Sequence, residues 1–143
     1  MKKLAIAFMI FVFVVGCGGT SGRLKNVLSQ APIMGGYIEC SSDCKIKWER
    51  AQLWITKHSM MKIQTSTDVM IDTYNPVGQK VIYHFTVMKE PLGNDSYRIS
   101  IQMNCGNALG CSPEPSDVET AFLYYVKDGV DLLDGQGYLG SIR

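Results

Sequence analysis

Residues 80–105 read KVIYHFTVMKEPLGNDSYRISIQMNC, and their pattern is the clearest structural signal in the chain. Apolar and polar side chains alternate in two runs, 80–88 and 97–105. Because successive side chains of a strand point to opposite faces, each run predicts a strand with one apolar face. Gly93-Asn94-Asp95 between the runs is typical of a turn. In the second run the apolar face carries Tyr97, Ile99, Ile101, Met103 and Cys105, and the polar face carries Arg98, Ser100, Gln102 and Asn104.

The alternation extends to both sides of the 97–105 run. In 80–88 the polar face carries His84 and Thr86. Residues 61–74 alternate as well and are followed by the turn sequence Asn75-Pro76-Val77-Gly78. We interpret 61–74 as one continuous strand, with Asp68 and Asp72 on its polar face. Three consecutive strands joined by short turns predict an antiparallel meander with one buried face.

Two helical patterns flank the meander. From Ser42 to about His58, apolar residues recur at steps of three and four. A second pattern begins with Ser116-Asp117-Val118-Glu119, which fits a capping box, and stops at Gly129. A sheet that is apolar on one face buries that face against another layer. The expected fold is therefore α+β: a three-stranded antiparallel meander, with one face covered by an N-terminal and a C-terminal helix.

The start of the chain has the pattern of an export signal. Lys2 and Lys3 precede twelve unbroken apolar residues, 4–15, and Gly16-Cys17 follows. A bilayer-spanning helix needs about 20 apolar residues, so the run is too short to be one. The sequence Val14-Val15-Gly16-Cys17 resembles the lipobox of bacterial lipoproteins, with Val14 where leucine is usual.

This resemblance implies cleavage before Cys17 and a diacylglyceryl thioether on its sulfur. It divides the chain into a signal (1–16), a lipid-anchored tether (17–36) and a single disulfide-stapled domain (37–143). Glycine rather than aspartate at position 18 favours the outer membrane over the inner one, with the domain facing the periplasm. The domain itself resembles small uncharacterised lipoproteins of proteobacteria around Trp48–Gln52 and Cys105–Cys111, and this likeness implies no activity.

Four cysteines remain once Cys17 is lipidated, and an even number in an exported chain predicts two disulfides. Three pairings are possible. We favour Cys40–Cys44 and Cys105–Cys111, because Gly106, Asn107 and Gly110 suit a tight ring. Loop entropy gives about 2 kcal/mol for each short ring and about 4 kcal/mol for a Cys44–Cys105 link, so that alternative stays open. The spacings do not match the two-residue gaps usual in zinc sites.

Composition narrows the range of functions. Removing residues 1–16 leaves 12 basic and 13 acidic side chains, and these are not clustered by sign. A nucleic-acid surface needs a clustered basic face, so we expect no nucleic-acid partner. Neither His58 nor His84 lies in a known catalytic motif. Trp48 and Trp54, six residues apart on one helix, are expected to anchor the core.

The sequence therefore favours a non-enzymatic envelope lipoprotein, anchored to the membrane through Cys17, that binds another envelope protein. No cofactor or metal is expected. The alternative is a periplasmic binding module for a small molecule or a glycan. A partner is expected to bind on the polar face of the sheet or on the Cys105–Cys111 loop, and the binding module would use the sheet face with Arg98, His84, Asp68 and Asp72. The candidate residues on that face are Arg98, His84, Asp68 and Gln102.

Overall fold

The computed structural model describes residues 35–134. The predicted signal, Cys17, the tether up to residue 34 and the chain after residue 134 lie outside this range. The described chain forms one antiparallel sheet with strand order β1-β5-β4-β3-β2 and two helices. The strands are β1 (Tyr37–Cys40), β2 (Ile63–Ser66), β3 (Met70–Thr73), β4 (Tyr83–Gly93) and β5 (Ser96–Cys105), and the helices are α1 (Cys44–His58) and α2 (Pro115–Asp128).

The expected three-stranded meander is wrong, because the sheet has five strands. Residues 61–74, expected to be one strand, form β2, a turn and β3. The Thr67 side chain organises the turn: its Oγ1 accepts hydrogen bonds from the backbone N–H groups of Val69 (3.3 Å) and Met70 (3.0 Å). Threonine supports local turns in this way. Polar and apolar residues alternate through the turn as they do in the strands, so the sequence pattern hides the reversal.

The fifth strand, β1, precedes the first predicted helix. It pairs with β5 over four residues, from Tyr37 opposite Ser100 to Cys40 opposite Tyr97. Ile38 and Cys40 are buried, whereas Tyr37 and Glu39 are exposed. Four residues are too few for the alternation to stand out in a sequence, which explains why this strand was not expected.

The hairpin of β4 and β5 confirms the prediction made from residues 80–105. Their register runs from Tyr83 opposite Cys105 to Gly93 opposite Ser96. Asn94 and Asp95 occupy the turn with φ angles of 51° and 56°. Positive φ at both central residues is the geometry of a type I′ hairpin turn, and asparagine and aspartate tolerate it.

Both predicted helices exist, with one difference at the start of α2. The residue before its first turn is Glu114, Pro115 occupies the first turn, and no side chain caps the end. The expected capping box at Ser116 is therefore wrong, because proline already starts the helix one residue earlier. The predicted stop is confirmed: Gly129 has a φ of 77°, and its N–H bonds the Tyr125 carbonyl.

The two helices pack on the same face of the sheet and enclose one core. Trp54 of α1 lies at its centre, fully buried, with T-shaped contacts to Phe85 (5.9 Å) and Phe122 (5.3 Å). Trp48 is also buried, and its Nε1 donates to the Thr67 carbonyl (3.3 Å), which ties α1 to the β2–β3 turn. The expectation that both tryptophans anchor the core is confirmed. No helix between residues 35 and 134 is long and apolar enough to cross a bilayer.

Candidate functional site

The sheet has one face that neither helix covers, and we call it the open face. A row of four side chains crosses its centre, one from each of four neighbouring strands. Tyr37 of β1 lies opposite Ser100 of β5, Ser100 opposite Met88 of β4, and Met88 opposite Met70 of β3. Tyr37 is 40% exposed and the other three are half-buried. This central row therefore presents an aromatic ring and two thioethers to solvent on a rigid backbone.

A charged row borders the central row on the side towards the β4–β5 turn. Arg98 lies between Glu39 on β1 and Glu90 on β4. Its guanidinium carbon is 4.0 Å from the centre of the Tyr37 ring, and Nη2 donates to Glu39 Oε1 at 3.4 Å. Arginine stacks on aromatic rings in this way because its charge is delocalised over a plane. The stacking fixes the Tyr37 ring and the Arg98 charge side by side.

A polar row that includes Asp72 and Thr86 borders the central row on the other side. There the Asp72 Oδ1 accepts hydrogen bonds from Thr86 Oγ1 (2.7 Å) and from His84 Nε2 (3.1 Å). A catalytic nucleophile would instead donate its proton to the imidazole that acts as its base. Here the hydroxyl and the imidazole bond the same carboxylate, so the cluster fixes side chains and does not activate the hydroxyl.

The structure brings three of the four candidate surface residues together. Arg98, His84 and Gln102 all lie on the open face, because they alternate with buried residues along β4 and β5. Asp68 does not join them, because it lies exposed in the β2–β3 turn and not in a strand. Sequence reasoning missed Met70 and Met88, although Met88 follows His84 and Thr86 at two-residue steps along β4.

The cysteines form the two local disulfides that the sequence favoured, Cys40–Cys44 and Cys105–Cys111. The second closes a ring on the connection between β5 and α2. Asn107 holds this ring to the β3–β4 connection, since its Nδ2 donates to the Gln79 carbonyl at 3.0 Å. Gly106 packs so tightly there that a Cβ atom would come within 2.6 Å of Pro76.

His58 lies in the interior, away from the open face. It is 3% exposed, and its Nε2 lies 3.0 and 3.1 Å from the two Asp131 carboxylate oxygens. Lys57 Nζ is 2.6 Å from Asp131 Oδ2. Burial would raise the pKa of Asp131, but the hydrogen bonds from Lys57 and His58 outweigh that effect and lower it. The cluster therefore joins the end of α1 to the segment after α2, and its imidazole is closed to a substrate.

A shallow groove of about 510 Å³ runs beside the end of α1. Its lining comes from the single stretch 55–63, and the Ser59 hydroxyl is already bonded to the Met61 carbonyl at 2.8 Å. Ligand pockets usually combine an apolar lining with several polar groups that converge from different elements. The groove lacks that convergence.

Comparison with models of protein families, with curated proteins and with solved structures gives no match. Among residues 35–134, no three histidine, cysteine, aspartate or glutamate side chains are grouped so that they could hold a metal ion. The open face is therefore the candidate functional site on geometric grounds alone.

Proposed function

We propose that this chain is a lipid-anchored protein of the bacterial cell envelope that binds another envelope protein through the open face. The observation that carries the proposal is the central row of Tyr37, Ser100, Met88 and Met70 with polar rows on both sides. Protein interfaces have a more apolar centre and a polar rim and are enriched in tyrosine, methionine and arginine, and this row supplies one tyrosine and two methionines beside a single serine. No catalytic role is assigned to the protein.

The rigidity of the open face supports a protein partner. The central row lies on paired strands, and its largest side chain is held by Arg98 at 4.0 Å. A surface fixed before binding loses little conformational freedom when the partner arrives. A small-molecule or glycan site would need a concave pocket with convergent polar groups, and the groove beside α1 does not offer one. We therefore favour the protein partner over the binding module.

The anchor in this proposal is Cys17, with a thioether-linked diacylglycerol as its lipid. Two acyl chains hold a protein on a bilayer stably, whereas one chain holds it only marginally. The glycine at position 18 favours the outer membrane, with the domain in the periplasm. Its two disulfides suit that oxidising compartment.

Metabolic labelling with a palmitate analogue tests the anchor. We expect the full chain to take up the label and to fractionate with membranes, and the Cys17→Ser variant to do neither. The lipid has no other attachment point in this proposal, so label that persists in Cys17→Ser would contradict it.

Affinity capture of the labelled protein from detergent-solubilised membranes tests the partner. We expect one envelope protein to be recovered in a fixed ratio to the bait. Its recovery should survive detergent, because the contact is made by protein surfaces and not by shared lipid. Recovery of the bait without any stoichiometric protein would contradict the proposed function.

A further inference from the structure

One end of the sheet collects two separate parts of the chain, and we call it the ring end. It comprises the Cys105–Cys111 ring and the β3–β4 connection at 74–82. Tyr83 at the start of β4 lies opposite Cys105 at the end of β5. The first residue of β1, Tyr37, lies opposite Ser100, five residues before Cys105. Tyr37 therefore lies at mid-sheet, and because β1 runs away from Cys105, the chain enters β1 from the ring side.

The two most exposed large apolar side chains of the described residues lie at this end. Leu109 in the ring is 98% exposed, and Val77 in the β3–β4 connection is 82% exposed. Large apolar side chains left almost entirely in water usually mark contact surfaces when they occur together. Their position at the same end of the molecule indicates that this end contacts another molecule or a membrane.

Both side chains are carried on loops that are fixed and joined to each other. The disulfide closes the ring, and inside it the Leu109 N–H bonds Asn107 Oδ1 at 2.8 Å. The Asn107 side chain then bonds the Gln79 carbonyl of the neighbouring connection at 3.0 Å. The backbone N–H of Gly106 bonds the Ile82 carbonyl at 2.9 Å. Leu109 and Val77 are thus held on two loops that are bonded to each other.

We propose that the ring end rests on the lipid bilayer, with Leu109 and Val77 entering the headgroup region. The inference rests on the proposed anchoring at Cys17. Eighteen Cα–Cα steps separate Cys17 from Gly35, and a chain of that length spans at most about 60 Å. A tether of this length does not by itself determine which surface of the domain faces the bilayer. Two apolar side chains at the ring end, on the side from which the chain enters β1, fix which surface faces the bilayer, because turning any other surface to it leaves both in water.

Two neighbouring loop tips that form no continuous apolar patch suit a bilayer better than a protein partner. The core of a protein interface is a contiguous apolar patch, and Gly78, Gln79 and Gly110 interrupt this end. Lys62 and Lys80 are exposed near the tips and are offset by Glu114 and Asp117 around the start of α2. Apolar insertion rather than charge is therefore expected to hold the contact, so neutral phosphatidylcholine should suffice.

Quenching of tryptophan fluorescence by brominated acyl chains tests the orientation. Full-length lipidated protein is placed in phosphatidylcholine vesicles with brominated chains, as the unsubstituted chain and as Leu109→Trp, Val77→Trp and Leu92→Trp. Leu92 is the matched control, since it is 45% exposed beside the β4–β5 turn at the opposite end of the sheet. The unsubstituted chain gives the baseline from Trp48 and Trp54, and a thermal melt confirms that each variant is folded.

We expect Leu109→Trp and Val77→Trp to be quenched beyond the baseline and Leu92→Trp to stay at it. Equal quenching at all three positions, or none at 109 and 77, would overturn the orientation while leaving the anchor intact. A photo-crosslinking residue at position 109 that captures a protein in cells would overturn the assignment to lipid. Failure of the unsubstituted chain to take up a palmitate label would instead overturn the anchoring, and this orientation with it.

Discussion

The Asp131 carboxylate holds the segment after α2 against the end of α1. It is bonded by His58 and Lys57, and its Oδ1 also accepts the backbone N–H of Leu133 at 3.1 Å. Leu133 is 1% exposed, so this short segment closes one side of the core. Hydrogen bonds to a charged group contribute more than neutral ones, about 1.5–3 kcal/mol each.

We expect Asp131→Asn to lower the free energy of unfolding by about 1–3 kcal/mol, because it removes the charge that Lys57 and His58 share. Denaturant titration measures this loss. The matched control is Asp134→Asn: Asp134 is 3.9 Å from the same lysine but 78% exposed. Its removal should cost less than about 0.5 kcal/mol. Equal losses for the two variants would contradict a stabilising role for the hydrogen bonds to Asp131.

The contribution of Asp131 to the free energy of unfolding depends on pH, because folding lowers its pKa. A group whose pKa falls on folding stabilises the fold fully above its unfolded pKa, about 3.9, and loses that contribution as the pH falls through the folded value. We therefore expect stability to decline below about pH 4 in the natural chain. Asp131→Asn should show a smaller decline over the same range.

A corresponding prediction at alkaline pH concerns the titration of Tyr83. Burial, followed by the negative charges of Glu114 and Asp117, raises its pKa to about 12. A phenol whose pKa rises on folding stabilises the fold below its unfolded pKa of about 10, and this contribution is lost as the pH rises towards 12. The ultraviolet titration curve of the Tyr83→Phe variant is subtracted from that of the natural chain. The difference should show the phenolate only near pH 12. A difference signal near pH 10 would place Tyr83 in solvent.

Among the elements, strand β5 carries core residues on one face and candidate binding residues on the other. Ile101 is 5% exposed under the helices, whereas Arg98 lies on the open face with a buried Nε that has no hydrogen-bond partner among the described residues. We expect Ile101→Ala to cost about 2–5 kcal/mol, as cavity-forming substitutions do. Arg98→Ala should change stability by no more than about 0.5 kcal/mol. Thermal melting compares the two, and an equal loss would mean that the open face is buried.

The elements that the sequence predicted are those with long, regular patterns. The hairpin of β4 and β5 repeats its alternation over both strands, and α1 repeats its apolar spacing up to His58. The reversal between β2 and β3 could not be seen, because Thr67-Asp68-Val69 contains no glycine or proline and keeps the strand pattern. Its hydrogen bonds to the Thr67 side chain exist only once the chain has turned.

At the scale of the whole molecule, the candidate site depends on strand order, which alternation does not supply. The pattern in β4 and β5 correctly gave Arg98, His84 and Gln102 one common face. The central row could not be predicted, since it needs β1 and β3 on either side of that hairpin. Asp68 was misplaced for the same reason: a single long strand would have put it on the face, and the hairpin puts it in a turn.

The most direct test of protein binding through the open face compares two apolar positions. Met88 lies in the central row, and Leu53 lies exposed on α1, 50% accessible and on the opposite side of the molecule. Each is changed to lysine in the full lipidated chain, and partner recovery from detergent-solubilised membranes is measured beside the melting temperature. We predict that Met88→Lys loses the partner while keeping its melting temperature, and that Leu53→Lys keeps both. Recovery of the partner by Met88→Lys at the level of the natural chain would contradict the proposed function.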